Sequence, residues 1–313
     1  MTALVVDIGG TNTRVALAEG PAIAEGSVKR FRNAEHRGLD DVLARYLAEA
    51  GSPEIDGACA ALAGPVRGGR GRLTNLDWII EEDAIATVTG TEKVKLLNDL
   101  QAQGHALDHL ADGALIGVLE GPRPPGEPRL VIGIGTGFNT TTVYPGAGSA
   151  LVTAAESGHA SLPVSDEAGL SLARFTAGKD DFAAVEDVLS GRGLVNVFCW
   201  VTAEAGAPRR MAGDAIIAAI DTDPAAAETL RVFSRMLGVV AGDLALNHLP
   251  FGGIYLIGGI ARAVTPHLAA MGFAEGFRAK GRFAALMESF AVSTVADDFA
   301  ALTGCAGYLA LQG

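Results

Sequence analysis

A chain of 313 residues is long enough for two domains or one large one, since soluble domains run to roughly 100–200 residues. With 49% hydrophobic and 19% charged residues and 41 glycines, it has the composition of a folded protein rich in tight turns, which excludes a largely disordered chain. A formal net charge of −12 argues against nucleic acid and anionic membrane as partners, because both require a basic face, and favours small solutes.

No apolar run reaches the roughly 18 residues of a spanning helix. The opening MTALVVDIGG turns polar too early for a secretory leader, so a cytoplasmic protein is expected. Three cysteines, Cys59, Cys199 and Cys305, lie far apart and have the spacing of neither a disulfide framework nor a zinc knuckle.

In the first third, strand and helix signals alternate, which points to an α/β domain. Residues 3–8 and 13–18 read as strands around a glycine turn; residues 39–50 read as an amphipathic helix, and residues 55–63 and 93–97 as further strands. Asp7 falls at the carboxyl end of the first strand, where α/β folds place ligands. Gly9 and Gly10 let backbone N–H groups wrap phosphate oxygens, and Thr11 adds a hydroxyl donor. Asp7 cannot hold a phosphate itself, since like charges repel; it suits a Mg²⁺ bound directly or through water. The plain alternative is an ordinary hairpin with a turn-forming acid.

Asn98 and Asp99 close the apolar run KVKLL and open the segment DLQAQGHAL. A carboxylate at that strand-to-helix junction has two uses: it can cap the helix, or it can take a proton from a substrate hydroxyl as general base.

The stretch GPRPPGEPR, residues 121–129, reads as an irregular connection. After it, RLVIGIGTGF and NTTTVY repeat the order strand, glycine turn, strand. Setting VVDIGGTNTRV against VIGIGTGFNTT puts Gly133 opposite Asp7, which suggests an internal repeat of two phosphate-loop hairpins, one per domain, only the first with an acid. The second loop comprises Gly135, Thr136 and Gly137. The chain has no G-x-x-x-x-G-K-[ST], and GIGTGF lacks the spacing of a dinucleotide fingerprint.

Glu156 and His159, in ESGH, stand in a polar, glycine- and serine-rich region; hydrogen bonding to a polyol is a simpler use for them than a metal, which would need further ligands nearby. Glu186, in VEDVLSGRG, reads equally as a polyol ligand or as part of a solvated helix face. Asp223 and Pro224 form a cap and first-turn pair for a helix whose apolar face runs Leu230, Phe233, Leu237, Val240, Leu244. Gly238 and Gly242 on that helix would admit a close neighbour. A short buried strand over residues 254–257, the pair Gly258 and Gly259, and a helix from about residue 261 then make room for a ligand against the backbone.

Taken in order, DIGGTN, LLNDL, GIGTG, ESGH, EDVLSGRGLVN, LIGGI and GFRAKGRF span nearly the whole chain and resemble the bacterial glucokinase family of the actin/hexokinase/Hsp70-like superfamily. The resemblance implies an α/β protein of two ribonuclease H-like domains around an inter-domain cleft: a small domain of residues 1–109 plus 298–313 and a large one of residues 110–297. It implies ATP-dependent phosphorylation of glucose to glucose 6-phosphate and a homodimer. ATP would lie with its phosphates against Asp7, Gly9, Gly10, Thr11, Gly135, Thr136 and Gly137, its adenosine near Gly258 and Gly259, and Mg²⁺ at Asp7 through water. Asn98, Asp99, Glu156, His159 and Glu186 would hold the hexose, with Asp99 as base for the 6-hydroxyl. No structural zinc is expected, because the cysteine-rich zinc motif typical of the related ROK sugar kinases is missing.

Three places depart from the family's pattern. Phe138-Asn139 replaces the usual Leu-Gly, the run GHASLP lacks an acid after Gly-His, and Arg192 stands where relatives tend to have Pro. The first two keep open a kinase of another hexose or amino sugar, such as mannose, fructose or N-acetylglucosamine. An inactive sugar-binding regulator is the more distant alternative.

Overall fold

The computed structural model describes residues 2–73, 76–146, 150–179 and 181–312. The chain divides into two compact units: Met1–Asp112, Gly146–Ala154 and Asp297–Gly313 in the first, Gly113–Pro145 and Ala155–Ala296 in the second. Residues 146–154, expected in the larger domain, thus cluster with the first unit. Among the described residues no helix is long and apolar enough to cross a membrane.

The first unit opens with β1 (Thr2–Ile8), β2 (Asn12–Glu19), β3 (Ala22–Ile23), β4 (Lys29–Arg32), α1 (Leu39–Glu49) and β5 (Gly57–Leu62). The short strands β6 (Val66–Arg67), β7 (Arg70–Arg72) and β8 (Ile79–Glu81) form a small antiparallel sheet, followed by α2 (Glu82–Thr89), β9 (Val94–Asn98) and α3 (Asp99–Ala106). The main sheet runs β3-β2-β1-β5-β9, with β4 also on β2. Its β1–β2 pair is antiparallel, whereas β1–β5 and β5–β9 are parallel.

The second unit has β10 (Leu115–Leu119), β11 (Arg129–Ile134) and β12 (Phe138–Tyr144); the two-residue strand β13 (Leu151–Val152) belongs to the first. It continues with α4 (Glu167–Thr176), α5 (Gly191–Glu204), α6 (Gly213–Ala218), α7 (Pro224–His248), β14 (Ile254–Ile257), α8 (Gly259–Leu268), α9 (Phe273–Arg278) and β15 (Val292–Val295). Its strands run β10-β15-β14-β11-β12, with β11 antiparallel to β12 and parallel to β14. Asp223 caps α7 through the Ala225 amide at 2.9 Å, with Pro224 in the first turn as its fixed φ allows. Methyl groups at Gly238 and Gly242 would run into the Phe273 and Phe277 carbonyls of α9, so the two glycines do permit that close approach. Helix α8 starts at Gly259, earlier than expected, because Gly258 takes φ 108° and turns the chain directly out of β14.

The last helix, α10 (Ala300–Ala310), packs against β1, β5 and α3 in the first unit. Strand alternation sorts the sheet's side chains onto two faces. Leu4, Val6, Ile8, Ala58, Ala60 and Leu62 join α1's Val42, Leu43 and Tyr46 on one face. Ala3, Val5, Cys59 and Ala61 join Leu302, Cys305 and Leu309 of α10 on the other. Asp7, two residues beyond Val5, belongs to the α10 face.

Candidate active site

In the first unit, β1 and β2 end on the register pair Ile8–Thr13, and the Gly9 amide donates to the Asn12 carbonyl at 3.0 Å to close the turn. The side chains of Asp7 and Arg14 are paired by that register and make an ion pair at 3.2 Å. Arg14 also donates to the Asp298 carbonyl at 3.2 Å and lies over the Phe299 ring, so the residues leading into α10 help fix the acid. Burial pushes the Asp7 carboxyl above its ordinary range, and Arg14 partly opposes that shift. Asp7 is therefore a desolvated acid with a cation beside it, and no sequence motif marks Arg14 as its partner.

A second residue missed in the sequence is Asn33. Its side chain accepts from the Thr13 hydroxyl at 2.8 Å and donates to the Gly9 carbonyl at 2.8 Å, while its backbone amide donates to the Thr11 carbonyl at 3.0 Å. It is 2% exposed, so these bonds lie away from water and pin the glycine loop to β4. Thr11 is exposed at the loop's tip.

At the end of β9, the helix cap is Asn98, which corrects the reading that Asp99 merely caps α3. Asn98 Oδ1 accepts from the Leu100 amide at 3.0 Å, its Nδ2 donates to the Gly64 carbonyl at 3.0 Å, and Gln101 returns a bond to the Asn98 amide at 3.2 Å. With Nδ2 donating to Gly64, the second N–H of that side-chain amide makes no hydrogen bond to the described residues. Asp99 is the first helical residue, with Oδ1 accepting from the Leu100 amide at 2.8 Å. A carboxylate there meets the positive end of the helix's aligned peptide dipoles.

In the second unit, β11 and β12 end on the pair Ile134–Phe138, and the Gly135 amide donates to the Gly137 carbonyl at 2.9 Å. Gly191 at the start of α5 donates to the Gly135 carbonyl at 2.8 Å. Glu186 does not lie on a solvated helix face; it sits in a 3₁₀ turn, Val185–Asp187, with its side chain 19% exposed. Its Oε2 accepts from the Phe138 amide at 3.1 Å and its Oε1 from Arg192 at 3.1 Å. A Cβ on Gly137 would collide with this carboxylate, and one on Gly158 would collide with the Phe138 carbonyl, so both glycines are required for the packing.

Glu156 and His159 are exposed and bracket a 3₁₀ turn, Ser157–His159, in which the His159 amide donates to the Glu156 carbonyl at 3.1 Å. Among the described residues no group of three or more His, Cys, Asp or Glu is arranged to hold a metal ion. Gly259 opens α8 with no side chain capping its first turn, and a Cβ added there would touch nothing within 4 Å. That exposed helix start offers backbone N–H groups to a ligand.

The departures at 138 and 139 have local structural reasons. Phe138 is 3% exposed and packs into the core of the second unit, so its bulk is turned inward. Asn139 Nδ2 donates to the Ala155 carbonyl at 2.6 Å while Oδ1 accepts from the Ser157 amide at 3.0 Å, which ties the ESGH segment to β12.

Comparison with known proteins gives a consistent neighbourhood. A family model described as Glucokinase matches residues 4–312. A glucokinase from Marinobacter nauticus is 33% identical over 97% of this chain and 95% of its own length. The crystal structure of a glucokinase from an Antarctic psychrotroph superposes with a TM-score of 0.87 at 28% identity, covering 98% of each chain. That of a Balamuthia mandrillaris glucokinase in complex with glucose shares the fold at 22% identity, with a TM-score of 0.81 over all of this chain and 94% of the other.

Proposed function

The chain belongs to the glucokinase family, and from that premise we propose that it transfers the γ-phosphoryl group of ATP to the 6-hydroxyl of glucose, giving glucose 6-phosphate and ADP. The observation that supports the choice of base is the place of Asp99 at the junction of β9 and α3: Asn98 holds the cap position, and Asp99, although its Oδ1 also accepts from the Leu100 amide, is a carboxylate at the start of the helix, where it can take a proton from a hydroxyl. In the proposed step Asp99 accepts the 6-hydroxyl proton as that oxygen bonds to the γ-phosphorus and the bond to the ADP oxygen breaks. The open N–H of Asn98, together with Glu156, His159 and Glu186, serves the other hydroxyls.

Backbone amides of residues 9–11 and 135–137, with the Thr11 and Thr136 hydroxyls, donate to the phosphate oxygens and stabilise charge on the transferring group. Gly258, Gly259 and the start of α8 are assigned to the adenosine. Asp7 suits a Mg²⁺ held through water: Mg²⁺ keeps most of its waters and uses one or two carboxylates, and no larger ligand cluster occurs among the described residues. Held there, the ion would supply neutralisation of phosphate charge. A homodimer belongs to the same reading.

The case for another hexose or an amino sugar rested in part on Phe138-Asn139. With Phe138 in the core and Asn139 committed to backbone groups, glucose is the better-supported substrate. Replacing the base tests the assignment. Asp99→Asn lowers kcat by about 10²-fold or more, the scale of a positioned general base, while glucose still binds; turnover close to that of the unaltered protein would remove Asp99 from the role.

A further inference from the structure

Arg192 is the second residue of α5, a first-turn position where the helix dipole disfavours a cation. Two carboxylates hold it there, Glu186 at 3.1 Å and Asp187 at 3.4 Å. Asp187 is already committed to the local fold, because its other oxygen accepts from the Ala184 amide at 3.0 Å and its carbonyl accepts from Asn196 at 3.0 Å. Glu186 is placed differently. Its two oxygens are taken one each by the Phe138 amide, at the end of the second glycine loop, and by Arg192.

A carboxylate offers about four acceptor directions, two per oxygen. One donor on each oxygen fixes the plane of the group and still leaves acceptor capacity on both. Backbone on one side and a guanidinium on the other therefore prepare Glu186 to accept hydroxyls without a further search through its rotamers.

We propose that Arg192 is a positioning residue for the sugar: it holds the Glu186 carboxylate in the orientation that accepts hexose hydroxyls, and so sets affinity for the sugar more than the rate of transfer. The inference rests on the glucokinase reading above. Arg192 reaches the substrate only through Glu186, and its own side chain is 60% exposed, so replacing it removes no core packing.

Steady-state kinetics and glucose titration calorimetry without nucleotide, on the unaltered protein, Arg192→Gln and Arg192→Lys, test this. Arg192→Gln is expected to raise KM and Kd for glucose about five- to tenfold, with kcat and KM for ATP within about twofold, the scale of one lost charge-assisted hydrogen bond. Arg192→Lys, which restores the charge, recovers most of the loss. A general structural defect would instead move kcat and both KM values together, and that outcome overturns the proposal. So does an Arg192→Gln protein that binds glucose as tightly as the unaltered one. If the unaltered protein turns over no sugar, the glucokinase reading falls first, and the inference with it; normal turnover with an unaffected variant sinks the inference alone.

Discussion

Asn33 lies 24 residues beyond Gly9, yet its amide group bridges that residue's carbonyl and the Thr13 hydroxyl. Asn33→Ala leaves both without a partner in a buried place, which costs about 1–3 kcal/mol by the penalty for an unmet polar group. Urea unfolding should show that loss, and KM for ATP should rise because the loop assigned to the phosphates loses its tether; unchanged values for both would make the bridge incidental. The positions of Asp7 near the end of β1 and Asp99 after β9 are legible in the sequence because an acid that closes an apolar strand breaks the hydrophobic pattern. Arg14 became legible only with the hairpin register that sets it opposite Asp7. Asn33 was not legible at all, since its contacts depend on β4 pairing with β2, a non-local match that no motif marks.

Helix α10 packs closely on α3. A methyl group at Gly304 would run into the Ala102 carbonyl of α3, so the two helices touch backbone to backbone there. Gly304→Ala should force them apart, costing about 1–3 kcal/mol as overpacking does, and, if Asp99 is the base as proposed, should lower kcat by displacing the start of α3 that carries it. Chemical denaturation and kinetics on the same variant check both parts; full stability and full activity would mean that α10 gives way freely. The sequence marks this contact poorly. ALTGCAGYLA is apolar on nearly every side and shows no stripe to identify its partner, whereas the comparable glycines of α7 stand on a helix whose apolar face is evident. The sequence leaves Glu186 open between two readings for a related reason: VEDVLSGRG looks continuous, but Ser190 caps α5 by accepting from the Gly193 amide, and Glu186 lies in the turn before it.

Each unit of the molecule contains the same local plan: an antiparallel hairpin closed by a glycine loop, with a parallel strand beside its first strand. The near-register of VVDIGGTNTRV and VIGIGTGFNTT predicts that plan from sequence, because strand periodicity and paired glycines are local signals. The return of residues 146–154 to the first unit is not predicted, since ALVTA carries no pattern assigning it to either body. Membership of the glucokinase family supports phosphorylation of glucose, and the proposed reading adds ATP as donor, the acid-bearing loop and Asp99 as base. ADP release from Mg·ATP, followed by a coupled assay over glucose, mannose, fructose, glucosamine and N-acetylglucosamine, tests that most directly. Release is expected to be strongest with glucose and to depend on the sugar; release with none of the five would contradict it.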